Sequence, residues 1–72
     1  MKKLLKDYGF NSDMQYYEMI AESFLNGNIS QAKEQFKAMP KLHRIAMVRS
    51  ATLWGWSSGI SKNNLSILFD LI

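Results

Sequence analysis

The sequence predicts an all-α protein, a compact bundle of four to five short helices with a central antiparallel helical hairpin. Three observations predict it. Apolar residues recur at threes and fours rather than in alternation. The chain holds 1 proline. Helix-starting and helix-stopping residues punctuate the apolar stripes at regular intervals. The 72 residues form a single domain, 1–72, too short for a second core.

The first element covers Lys2 to Tyr8, with Leu4, Leu5 and Tyr8 turned inward and Gly9 as its stop. "SDMQ" from Ser12 is a capping-box pattern: the hydroxyl accepts from the Gln15 amide, and the Gln15 side chain reaches back. Phe10, just ahead of this cap, is placed to pack on the first turn. The second helix runs to about Asn26, where Gly27 supplies the left-handed residue that ends it. Met14, Tyr17, Ile20, Ala21, Phe24 and Leu25 form its inward stripe, with Glu18 and Glu22 on the other side.

A third helix starts after Asn28 or at Ser30, carrying Ile29, Ala32, Phe36 and Met39 inward. Pro40 disfavours helix at Met39 and suits the start of a new one. The fourth helix runs from about Pro40 to Trp54, with Leu42, Ile45, Ala46, Val48, Thr52 and Leu53 as core candidates. A last short helix begins behind Ser61 and brings in Leu65, Leu68, Phe69 and Ile72. Trp54 and Trp56 flank Gly55, and positions two apart on one helix face away from each other. With Gly55 as a left-handed end, Trp54 faces inward and Trp56 folds back toward Ala51; the alternative is that one or both rings stand exposed as an interface anchor.

Composition bounds the chemistry. A chain of this size has a marginal core, and small domains add disulfides, a metal or a partner. With 0 cysteines and 1 histidine, neither a disulfide nor a zinc site is available as that support. The hydrophobic fraction is 47%, or about 53% with the 4 glycines included, slightly above the ~45–50% of ordinary soluble domains. No run approaches the ~20 apolar residues of a membrane span, and the basic opening lacks a secretory apolar region. The chain reads as cytoplasmic, with no membrane association.

Catalysis finds little to work with. His43 stands in "PKLHRIAM" between Lys41 and Arg44, with no acid close in sequence. Glu18 and Glu22 share a helical face, but carboxylates four apart are usually just solvated. Gly55 and Gly59 lack the flanks of a phosphate loop. The expectation is a non-enzyme with no catalytic, metal or cofactor residue and no cofactor.

Charge is polarised. Lys33, Lys37, Lys41, Arg44 and Arg49 fall on the third and fourth helices, while the second carries Asp13, Glu18 and Glu22. "GNISQAKEQF" has the turn of a helix-turn-helix, and a small DNA-binding regulator is the alternative reading. It would set Gln31, Lys33 and Gln35 at base edges and Lys37, Lys41 and Arg44 on phosphates. Against it, Lys33 stands where a reading helix buries an aliphatic residue, and Glu34 would face phosphates.

"MIAESFLNGNISQAKEQFKAMP" resembles one tetratricopeptide hairpin, with Gly27, Ala32 and Phe36 at that family's spacing. It departs at Ile20, Ser23 and Arg44, where the family has glycine, an aromatic residue and proline. The longer stretch "MQYYEMIAESFLNGNISQAKEQFKAMP" is similar to short uncharacterised helical proteins of bacterial and phage-like genomes. Both resemblances imply a compact helical unit, and neither implies a site.

The leading functional expectation is a small non-catalytic module for protein–protein interaction or self-assembly, its partner a protein or a second copy in a homodimer. Nucleic acid is the lesser alternative. Five methionines suit adaptable contact surfaces. Tyr16, Met19, Met47 and Trp56 lie off or at the edge of the inward stripes and are the expected contact patch.

Overall fold

A computed structural model describes the backbone of residues 1–54 and 62–72, with the side chains of 52–54 and 62 left out. Within them lie α1 (Lys2–Tyr8), α2 (Asp13–Leu25), α3 (Ile29–Ala38), α4 (Lys41–Trp54) and α5 (Lys62–Leu71). Among the described residues there is no strand. The all-α bundle is therefore the fold. Gly55 and Trp56 lie outside the described residues, as does the orientation of the Trp54 ring.

Local chemistry sets the breaks. Gly9 (φ 71°) ends α1: its N–H donates to the Lys6 carbonyl, and the Phe10 N–H donates to the Leu5 carbonyl. Gly27 (φ 80°) repeats the pattern after α2, with its own N–H on the Phe24 carbonyl and that of Asn28 on the Ser23 carbonyl. These paired 6→1 and 5→2 bonds satisfy carbonyls that the helix itself leaves free, and they need a residue that tolerates positive φ. Ser12 opens α2 with the full capping box, its Oγ 3.4 Å from the Gln15 amide and its own N–H 3.2 Å from Gln15 Oε1. Pro40 sits one position ahead of α4, and its carbonyl accepts from His43 and Arg44.

The core draws on every helix except α1. Tyr16, Tyr17, Ile20 and Phe24 come from α2, Ala32 and Phe36 from α3, Met47 and Val48 from α4, and Leu68 from α5; Met39 joins from the α3–α4 corner. The α2–α3 hairpin is the most closely packed pair, and α5 lies against both α3 and α4. The last helix is thus more than a lid: Leu68 is fully enclosed. α1 has no buried residue; Leu4 and Leu5 lean half-buried on the cluster.

Several expected inward residues face out. Tyr8, Met14, Leu25 and Phe69 are exposed. The largest correction concerns α4: Val48 is buried as expected, but Met47 and Ala51 join it while Leu42 stays 76% and Ile45 37% exposed; the side chains of Thr52 and Leu53 lie outside the described residues. The helix is apolar on two sides. Periodicity marks both sides equally, and only packing against the other helices selects one.

Candidate interaction surface

The seam between α2 and α3 is polar and fully used. The Tyr16 hydroxyl donates to the Gln35 carbonyl at 2.7 Å, deep in the hairpin. That carbonyl needs an outside donor because the end of α3 is tight: the Met39 N–H goes to Phe36 instead. Pro40 has no N–H to offer the next carbonyl. Tyr16 therefore caps α3 from a neighbouring helix. Burial, and secondarily the adjacent Tyr8, pushes its phenol up to about 12.

The Gln35 side chain points the other way and meets Ser23 Oγ at 2.8 Å. Ser23 Oγ also lies 3.1 Å from the Met19 carbonyl. The Ser23 hydroxyl donates to Gln35 Oε1, the shorter contact, and carries only one proton, so the Met19 carbonyl is its alternative acceptor. A helical carbonyl points toward the C-terminus and a side chain toward the N-terminus. That Gln35 reaches Tyr16 with the first and Ser23 with the second confirms the antiparallel hairpin.

These contacts relocate the expected patch. Tyr16 and Met47 are 0% exposed and offer no free surface. Each lies where two stripes meet, and the hydrogen bond or the flexible side chain lets it turn in. Met19 is half-buried, and Trp56 is among the residues not described. Gln35 is 8% exposed and occupied by Ser23, so it reaches no base edge. Of the other basic and amide candidates, Gln31, Lys37 and Lys41 are exposed while Lys33 and Arg44 are half-buried. The Nε of Arg44 is buried without a hydrogen-bond acceptor, so this side chain lies partly against the protein rather than fully in solvent.

Around Tyr16 the aromatic rings gather. Tyr8 stacks on Phe10 with centroids 5.6 Å apart, and both meet Tyr16 edge-on. Phe10 thus packs on the first turns of α2, as its place before the cap suggested. A shallow cavity of about 280 Å³ opens beside this cluster, with Met19, Glu22, Asn26 and Gln31 in its walls. Ser23 and Gln35 also line it, already bonded to each other. Nothing reactive converges there.

His43 does have an acidic neighbour, supplied by a different helix. Its Nδ1 lies 3.6 Å from Asp13 Oδ2 and 3.4 Å from the Tyr17 hydroxyl. Tyr17 is raised above the usual phenol range by burial and, secondarily, by Asp13. The group ties the first turn of α4 to the first turn of α2. Among the described residues no three His, Asp or Glu side chains gather as a metal site requires, and no helix is long and apolar enough to cross a membrane.

Besides Tyr8 on α1 and Phe69 on α5, exposed apolar residues lie on two helix faces. On α4, Leu42, Ile45 and Arg49 lie within an arc of about 60°, opposite the buried Met47, Val48 and Ala51, and all three are exposed. On α2, Met14, Glu18 and Leu25 share an arc of about 40° and are likewise exposed, with half-buried Ala21 alongside. α2 carries carboxylates and no Lys or Arg. α4 carries Lys41, Arg44 and Arg49 and no Asp or Glu. No family model, no curated protein and no solved structure matches the chain.

Proposed function

We propose that the protein is a small non-catalytic helical module that associates, with a protein or with itself, through the outer face of α4. One observation carries this reading: α4 is apolar on both sides, and one side already fills the core while Leu42 stays 76% exposed. Burying a leucine is worth about 1.5–3 kcal/mol, and the isolated chain leaves most of that unrealised. That outer side is not wholly apolar, since Arg49 lies on it with Leu42 and Ile45, and an apolar row with one charge set into it is the pattern of a helix–helix contact.

Molecular mass in solution as a function of concentration tests it. The expected result is a mass rising above the 8.3 kDa monomer through the micromolar range, with Leu42→Glu held at the monomer value and unchanged in helicity. A wild-type mass constant at 8.3 kDa would defeat the self-assembly form. An unaltered rise in Leu42→Glu would remove α4 as the contact.

A further inference from the structure

We infer that the outer face of α2 in one copy seats on the outer face of α4 in a second copy. The inference rests on the association reading above and names its partner. On α2 the outward row is Met14, Glu18, Ala21 and Leu25, spaced four, three, four; on α4 it is Leu42, Ile45 and Arg49, spaced three, four. That is the spacing with which two helices interlock along a seam.

Each row is apolar with one charge set into it, and the charges are opposite: Glu18 on α2, Arg49 on α4. A charged residue inside such a seam selects the partner that answers it. Glu22 beside the first row and Lys41 beside the second, both exposed, repeat the complementarity at the edges. Pairing like faces fails on the same count. α4 against α4 meets only basic residues, since that helix has no acid. α2 against α2 meets only acidic ones, since it has no Lys or Arg. Cross-pairing is the arrangement that sets an acidic face against a basic one, with Glu18 and Arg49 as the central pair, while Leu42, Ile45, Met14 and Leu25 leave water together.

The rows are about 16 Å and about 10 Å long. Such a contact buries well under the ~1,200 Å² of a standard complex, so weak, reversible association is expected.

A charge exchange tests the pairing on the whole chain by sedimentation equilibrium. One variant carries Glu18→Lys and Glu22→Lys, the other Lys41→Glu and Arg49→Glu; all four sites are exposed, and circular dichroism verifies that both fold. Each variant alone has two faces of like sign and is expected to associate at least about tenfold more weakly than wild type. Mixed in equal amounts, the two are expected to recover association, because each then offers the face the other needs. Wild-type-like association of either variant alone, or no recovery on mixing, overturns the cross-pairing. If Leu42→Glu is still monomeric in that case, the α4 reading stands and only its partner is wrong. A monomeric wild type overturns the cross-pairing and the self-assembly form of the reading together, and leaves only association of α4 with a different protein.

Discussion

The phenolic proton of Tyr16 goes to a carbonyl that α3 itself leaves open, 2.7 Å away and sealed from water. Removing only the oxygen, as Tyr16→Phe, keeps the ring against Tyr8 and Phe10 but strands that carbonyl. The expected cost is about 1–2 kcal/mol, read as a lower denaturation midpoint with unchanged slope. A loss under about 0.5 kcal/mol would mean that water or another donor replaces the phenol. This role had a trace in the sequence. Pro40 forces α3 to end abruptly and has no N–H, so a donor from elsewhere was required. Which residue supplied it depended on how the hairpin crosses, and spacing alone is silent on that. His43 repeats the lesson. Asp13 is thirty residues away in the chain, yet the two first turns are neighbours in space.

Helix limits were legible because they are set by chemistry within a few residues. Gly9, the Ser12–Gln15 box, Gly27 and Pro40 each act locally, and the structure breaks the chain at every one. Helix facing was legible only where a helix has a single apolar side. On α3, Ala32 and Phe36 are inside as expected, whereas of the residues expected inside on α4, Val48 is buried but Leu42 and Ile45 face water. The difference is measurable. Met47→Ala opens a hole in the fully enclosed centre and is expected to cost about 2–5 kcal/mol. That is a large share of the ~4–10 kcal/mol that a chain of this length has in total. Leu42→Ala is expected to change the thermal midpoint of the dilute monomer hardly at all, within about 0.5 kcal/mol. Comparable losses at both positions would show that the assignment of the two sides of α4 is mistaken.

At the scale of the whole molecule, two buried phenols govern the alkaline limit. Unfolded tyrosine loses its proton near pH 10, while folded Tyr16 holds it to about 12; Tyr17 is shifted in the same direction. Below pH 10 both states are protonated and the contribution is intact. Between about 10 and 12 the unfolded chain releases protons that the folded one retains, so stability falls as pH rises. Tyr16 alone accounts for a loss of roughly 2–3 kcal/mol across that window. Urea midpoints are expected to hold steady to about pH 9.5 and then decline, with a smaller decline in Tyr16→Phe. A midpoint still level at pH 12 would contradict the burial of these rings.

Gln35 grips α2 at two points seven residues apart, by its carbonyl at Tyr16 and by its side chain at Ser23, a span of about 10 Å. Any lengthwise slip or swivel of one helix on the other would break both grips at once. The hairpin should therefore act as a splint, holding its crossing angle. The row of side chains along its back would then keep its shape between encounters, so little order would have to be imposed when something lands there.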